Sequence, residues 1–200
     1  MDKTILYISG AVATVVIGVL GYIVKIVLNM ADNEISKEQR FIETINAERV
    51  KWINTLRDTF SEYNKIAYIQ LNVLSDLQFK GASTYESELK QLIYLHNHID
   101  LFLNPAESIT KKFCDIKNIV TKDLHSDTPN QNVNYGNVGL LLEDLHFLQQ
   151  VILKSEWKRV KEENMIGKEI TDQRMNEIYV SIAQKIDNER YNNIFNSNVE

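Results

Sequence analysis

Glu143 and His146 form a Glu-x-x-His pair, a spacing that can support metal chemistry on a helix. Side chains three residues apart lie on the same side of a helix, and two such pairs hold the metals of di-iron four-helix bundles. No second pair exists, because Ile93, Leu95 and Lys122 stand three residues before the other histidines. The pair therefore predicts a solvated helix face, and we expect neither a metal nor another cofactor.

His96, His98 and Asp100 are a second group with side chains suited to acid–base or metal chemistry. Positions two apart on a helix point about 200° apart, so the two histidines cannot share one ligand. His96 is expected at the edge of the core. A hydrolase or nuclease that uses His96, Asp100, Glu143 or His146 remains an alternative, although no pair of these groups has convincing mutual spacing.

Other familiar chemical motifs are missing from the sequence. No histidine follows an arginine at the spacing used by helical ribonucleases, and there is no Gly-rich phosphate loop or Gly-x-Ser-x-Gly. Cys114 is the only cysteine, on an apolar helix, and is expected to be a small buried side chain. The formal net charge of -5 argues against nucleic-acid binding. The sequence thus predicts a protein that is not an enzyme.

An apolar stretch near the N-terminus predicts a membrane anchor. Residues 5–24 carry no charge and would cover about 30 Å of helix, the hydrocarbon thickness of a bilayer. A cleaved signal peptide is the rival interpretation, because residues 11–13 resemble a cleavage site. Cleavage there would leave too short an apolar core, so we expect an uncleaved transmembrane helix over residues 1–30.

Basic residues on the two sides of this stretch predict its orientation. Lys3 alone precedes it, whereas Lys25, Lys37 and Arg40 follow it closely. The positive-inside rule then places the N-terminus outside and the C-terminal domain in the cytoplasm of a single-pass inner-membrane protein. The membrane lipid bilayer is accordingly an expected partner.

A stripe of small residues in the same stretch predicts self-association. Gly10, Thr14 and Gly18 fall at steps of four, with Gly21 near the same face. Small residues at this spacing let two helix backbones approach closely in lipid. The alternative is that small residues are simply common in such helices.

The remainder of the chain predicts an all-α fold, because apolar residues recur at steps of three and four and only two prolines occur. We expect a short polar joint at 31–35, a helical cytoplasmic domain at 36–190 and a frayed tail at 191–200. Short connections favour antiparallel neighbours, in a helical bundle or a long helical hairpin.

The segment "ERVKWINTLR" at 48–57 places arginines around a tryptophan. Ile53 and Leu56 belong to the apolar stripe of the helix, and Trp52 is expected to cover its edge. Arginine stems can pack along such an edge while their guanidinium groups pair with acids on neighbouring helices. This pattern predicts a clamp between helices or a contact with a partner, which involves the following residues: Arg49, Trp52, Arg57, Glu156 and Trp157.

The same segment resembles an Arg-x-x-Trp-Ile-x-x-Leu-Arg pattern of small, uncharacterised, membrane-anchored helical proteins of bacteria and phages. Two further segments are similar to this group, "LFLNPAES" at 101–108 and "LKSEWKRVKEE" at 153–163. The resemblance implies a helical fold with an N-terminal span, and some proteins of this kind occur in phage-defence loci. It implies no catalytic residue.

Together these features predict a non-enzymatic helical protein, tethered to the cytoplasmic face of the membrane, that self-associates or binds a protein partner. The alternative is an effector that perturbs the membrane during phage defence or a lytic programme. Within residues 5–24 few side chains, among them Ser9, Thr14 and Tyr22, could line a pore, which favours the first interpretation.

Overall fold

The computed structural model describes residues 3–75, 82–125 and 132–196, and side chains within these ranges except those of 3–17, 19, 31–39, 41, 82–86 and 196. All regular structure in these ranges is helical, which confirms the all-α prediction. The five helices are α1 (Lys3–Ser75), α2 (Ala82–Phe102), α3 (Ser108–Leu124), α4 (Tyr135–Ile166) and α5 (Asp172–Asn196).

Local signals explain both ends of α4 and the start and internal break of α5. Asn134 caps α4 by accepting a hydrogen bond from the N–H of Asn137, and the helix stops at Gly167, whose φ of 70° suits glycine. The hydroxyl of Thr171 accepts from the N–H of Arg174 at the start of α5. Within α5, Asp187 has an extended backbone and its carboxylate accepts from the N–H of Arg190, so a new helical segment starts there.

Two predicted boundaries differ from the structure. Residues 31–35 are helical, whereas the sequence predicts a polar joint; the chain from Tyr22 to Ser75 contains neither glycine nor proline to interrupt a helix. Pro105, which could stand in the first turn of a helix, does not start α3. Instead the Asn104 side chain accepts from the N–H of Ala106 in a turn, and Glu107 is the residue before the helix. Part of the predicted tail is helical, up to Asn196.

Contacts divide the chain into two units, Met1–Ile45 and Asn46–Glu200. In the second unit, hydrogen-bonded pairs fix the relative directions of the helices. Asn46 contacts Asn164 and Asn64 contacts Gln149, so residue numbers rise in α1 as they fall in α4. The same opposite order relates α2 to α3 and α4 to α5. These three helix pairs are therefore antiparallel.

The core of the second unit is formed by one side of each helix. On α1 the buried residues recur at steps of three and four, as the apolar rhythm predicts. Phe60 of α1 packs on Phe113 of α3 with ring centroids 5.3 Å apart. The largest fully buried apolar side chains are Phe60, Tyr63, Phe113, Ile53, Leu56, Leu74, Leu92, Ile99, Leu124, Leu142 and Leu145.

The predicted membrane anchor is wrong. Among the residues that the structure describes, no helix is both long and apolar enough to cross a membrane. The transmembrane helix over residues 1–30, the single-pass inner-membrane localisation and the outside–cytoplasm orientation are corrected accordingly, whereas the lipid bilayer as a partner stays a prediction.

The stripe of small residues loses the setting for which it was predicted. The side chains of Gly10 and Thr14 lie outside the described residues. At Gly18 and Gly21 an added Cβ would meet nothing within 4 Å. No other described part of the chain lies close to these two glycines, and self-association through the stripe, like the membrane-perturbing effector, stays an untested prediction.

Candidate functional site

A cleft of about 370 Å³ opens in the second unit, where α1, α4 and α5 meet the turn between α2 and α3. Segments 48–57, 101–108 and 153–163 all contribute to it. We call it the acidic cleft and define it by its lining residues, which are Glu48, Arg49, Trp52, Phe102, Leu103, Asn104, Glu107, Thr110, Ile152, Glu156, Arg159 and Tyr179.

One wall of the acidic cleft rests on a buried carboxylate. The Glu163 side chain is fully buried and forms ion pairs with Arg49 of α1 and with Arg159, whose Nε lies 2.9 Å from Glu163 Oε1. The same oxygen accepts from the N–H of Ile170 at 3.2 Å. A buried charge is tolerated only when it is paired and hydrogen-bonded. Glu163 therefore fixes both guanidinium groups in place.

Glu156 lies about two helical turns before Glu163 on α4, and its contacts with the same two arginines are longer. Its carboxylate is 3.9 Å from Arg49 Nε and 4.0 Å from Arg159 Nη1, both beyond hydrogen-bond distance. Burial raises the pKa of Glu156, and nearby Glu107 raises it further, while Arg159, Tyr179 and Arg49 oppose this shift. Glu156 thus keeps its proton to a higher pH than an ordinary glutamate does.

The hydroxyl of Tyr179 lies between two carboxyl groups. Its Oη is 2.8 Å from Oε2 of Glu107 and 3.1 Å from Oε1 of Glu156. A phenol has one proton and can donate to only one of them. The second contact is favourable only if a carboxyl group donates to Tyr179, and the raised pKa of Glu156 makes Glu156 the better donor. Burial beside these carboxylates raises the pKa of the Tyr179 hydroxyl as well.

Acidic groups outnumber basic ones around the acidic cleft. Three glutamates line it, at positions 48, 107 and 156, against Arg49 and Arg159. Both arginines already pair with Glu163, and Arg49 also lies 3.8 Å from Glu169. Glu163 and Glu169 together balance the charges of the two arginines, and Glu48 pairs with Lys51, whose Nζ lies 2.6 Å from Glu48 Oε1. The remaining charge that faces the cleft is negative and comes from Glu107, together with Glu156 when it is ionised.

A neighbouring cleft of about 320 Å³ shares residues with the acidic cleft. Asn104, Glu107, Arg159 and Tyr179 line both, so the Tyr179–Glu107 hydrogen bond stands between them. The second cleft adds residues from the start of α5, including Met175.

The structure brings together three of the five residues that the sequence predicts for a clamp. Arg49 and Glu156 are 3.9 Å apart, and Trp52 lines the same cleft and packs against the core. Arg57 is exposed and donates to Asn54 of its own helix at 3.0 Å. Trp157 is half-buried and does not line this cleft.

The other candidate groups lie elsewhere. Glu143 accepts from Arg190 of α5, and His146 is exposed beside Gln150, so both belong to the outer side of α4. His98 packs between the rings of Tyr94 and Phe102. Among the described residues, no three His, Cys, Asp or Glu side chains are grouped closely enough to hold a metal ion.

His96 and Asp100 meet at Lys117 of α3, whose side chain is fully buried. Its Nζ donates to Asp100 Oδ2 at 3.0 Å, to His96 O at 2.9 Å and to His96 Nδ1 at 3.1 Å. Cys114 is half-buried rather than fully buried, and its Sγ is 3.5 Å from Asp100. Burial raises the pKa of this thiol to about 11, so it is a weak nucleophile.

The sequence does not single out Glu107, Arg159 or Tyr179. Two of them lie within segments that carry the resemblance, in "LFLNPAES" and "LKSEWKRVKEE". Tyr179 reads from sequence as one more core residue of α5, because it stands four residues after Met175 and next to Ile178. Glu163 stands three residues after Val160, on the side of α4 where apolar residues recur. A charged residue at such a position is the sequence signal that could have identified it.

No protein-family model, no curated protein and no solved structure matches this chain.

Proposed function

We propose that this chain is a non-enzymatic helical interaction protein and that its acidic cleft receives a basic side chain, lysine or arginine, of a protein partner. The observation that carries the proposal is the placement of one hydroxyl, that of Tyr179, between the carboxyl groups of Glu107 and Glu156. A helical bundle supplies the rigid walls that such a site needs.

The charge balance supports a cationic ligand. In the unbound protein, one extra proton is needed to make both contacts of Tyr179 favourable. A bound ammonium or guanidinium group supplies several donors at once and can satisfy Glu107 and Glu156 while both are ionised. The cation then takes the place of the proton, and both carboxylates gain a positively charged hydrogen-bond partner inside the cleft.

Apolar and aromatic residues support a long basic side chain rather than a small cation. Trp52 and Phe102 line the acidic cleft beside its carboxylates. Lysine and arginine have apolar stems that pack on such surfaces, and a guanidinium group also stacks on aromatic rings. A deep pocket for one anchoring side chain is a common feature of protein interfaces.

The test uses side-chain analogues as probes. We expect n-butylguanidinium and n-butylammonium, added to the ¹⁵N-labelled protein at constant ionic strength, to shift the NMR signals of cleft residues in a saturable way. The dissociation constant should be about 1–10 mM, since such fragments gain only a few kcal/mol. The neutral probe n-butanol should bind at least about tenfold more weakly, which is about 1.4 kcal/mol.

Two substitutions localise the binding. Glu107→Gln and Glu156→Gln should each weaken n-butylguanidinium binding about fivefold or more, because each removes a charge from the cleft. Glu62→Gln is the matched control, since Glu62 lies on α1 outside the cleft and pairs with Lys65. The proposal would be refuted if all three variants bound n-butylguanidinium equally well. It would also be refuted if the wild-type chain bound n-butanol as tightly as n-butylguanidinium.

A further inference from the structure

A third cleft, of about 370 Å³ and with a polar lining, lies between α2 and α3, separate from the two clefts described above. The described residues that line it include no acid. Its polar lining consists of His96, Asn97, Asn118, Thr121, Lys122 and His125. A site with this composition is unusual in a chain whose net charge is -5, because its only permanent charge is a cation.

The hydrogen bonds of His96 determine which ring nitrogen carries the proton. Nδ1 of His96 lies 3.1 Å from Nζ of Lys117 and 3.0 Å from Oγ1 of Thr121. An ammonium group can only donate, so Nδ1 must accept. In the neutral imidazole the proton is then on Nε2, which makes this nitrogen a hydrogen-bond donor.

Lys117 makes this donor stronger. Its ammonium group is fully buried and is held by Asp100 at 3.0 Å and by the carbonyl of His96 at 2.9 Å. A positive charge that donates to Nδ1 draws electron density from the imidazole ring, so Nε2–H becomes a better donor to an anion. A fixed chain of groups, Asp100 to Lys117 to His96, thus supports one donor at the cleft.

Stabilisation of the α3 terminus explains only part of this arrangement. Lys122 and His125 stand at the last turn of α3, where positive charge offsets the helix dipole. His96 and Asn97 belong to α2, however, and the helix dipole of α3 does not account for them. Donors from two helices surround one space, which is the arrangement that a bound acceptor group requires.

We infer that the cleft between α2 and α3 is a binding site for an oxyanion, a phosphate or carboxylate group of a small molecule or of a partner. Nε2–H of His96 donates one hydrogen bond to it, the amide groups of Asn97 and Asn118 supply further donors, and Lys122 supplies the charge. The volume accommodates a phosphate group together with part of the molecule that carries it.

The test is a titration of the full chain with inorganic phosphate and, separately, with acetate at constant ionic strength. The readout is the ring ¹H–¹⁵N NMR signals of His96 and His125. We expect saturable shifts with a dissociation constant of about 1–10 mM for phosphate. Stronger binding of phosphate identifies a phosphorylated ligand, and stronger binding of acetate identifies a carboxylate ligand.

A pair of substitutions on exposed residues separates a site from general charge effects. Lys122→Gln should weaken the preferred anion about fivefold or more, whereas Lys65→Gln, an equal change of charge on α1, should leave it unchanged. Absence of saturation with both anions up to about 50 mM, about five times the weakest expected dissociation constant, would overturn the inference. Identical binding by the two variants would overturn it as well.

Discussion

The hydroxyl oxygen of Tyr179 on α5 lies 3.1 Å from Oε1 of Glu156 on α4. The Tyr179 hydroxyl also lies 2.8 Å from Oε2 of Glu107, the residue before α3. These contacts join three parts of the chain at one hydroxyl group. Because the second contact needs an extra proton, which Glu156 is the better placed to carry, a bound cation can take the place of that proton.

The pH dependence of stability should report the buried state of Glu156. Burial raises its pKa above the ordinary 4.5, so between the unfolded and folded pKa values the folded protein binds more protons than the unfolded chain. Its contribution to stability is present below pH 4.5 and falls as the pH rises through that window. Glu156→Gln cannot titrate, so the free energy of unfolding of wild type minus that of the variant should decrease from pH 4 to pH 7. Urea unfolding at several pH values measures it, and a difference that rises would contradict the assignment.

Removal of the Tyr179 hydroxyl should lower the stability of the protein but strengthen the binding of n-butylguanidinium. Tyr179→Phe loses two hydrogen-bonded contacts and should destabilise the protein by about 1–2 kcal/mol. The same change removes the internal donor with which a cation competes, so n-butylguanidinium should bind about threefold more tightly. Chemical denaturation and NMR titration measure the two effects. Weakened binding of the probe would show that the hydroxyl helps to hold the cation.

Glu163 should matter more to stability than its neighbour Glu162. Glu163→Gln leaves Arg49 and Arg159 without their fully buried partner, and loss of one member of such a group costs about 3–5 kcal/mol. Glu162→Gln is the matched control, because Glu162 pairs with Arg174, whose side chain is 42% exposed, and its loss should have a much smaller effect. Similar midpoints of urea unfolding for both variants would disprove a buried role for Glu163.

Asn64 and Gln149 should be coupled. They exchange two hydrogen bonds, of 2.7 and 3.0 Å, between α1 and α4. Asn64→Leu or Gln149→Met alone strands a polar partner at the core edge and should cost about 1–3 kcal/mol. The double variant should cost less than the sum, with a coupling energy of about 0.5–3 kcal/mol. Additive changes in the free energy of unfolding would mean that the pair is not a unit.

Periodicity predicted the helices well, but it did not predict their exact faces and ends. On α5 the apolar residues at steps of three and four are Met175, Ile178, Ile182 and Ile186, and only the first two of them are buried. Tyr179 and Ala183 take the remaining buried places. The buried face is set by packing against α4, which the sequence of one helix does not encode. The buried face of α5 is thus turned from Ile182 and Ile186 toward Tyr179 and Ala183, and this places Tyr179 at the cleft.

The site was predictable only in part. Arg49 and Glu156 were identified as possible partners because arginine at the edge of an apolar stripe needs an acid nearby. Glu107 could not be placed, because it ends a turn that the Asn104 side chain shapes, and helical periodicity does not predict the geometry of such a turn. The membrane assignment depended on residues 5–24, and the described residues provide no spanning helix.

The exchange of a proton for a cation is the central claim, and calorimetry tests it directly. Binding of n-butylguanidinium to the wild-type chain is measured at pH 6 in two buffers of different ionisation enthalpy. If the cation replaces the proton shared by Glu107, Glu156 and Tyr179, the binding enthalpy depends on the buffer and corresponds to release of a fraction of a proton, up to about one. An enthalpy that is the same in both buffers, or that reports proton uptake, would contradict the account.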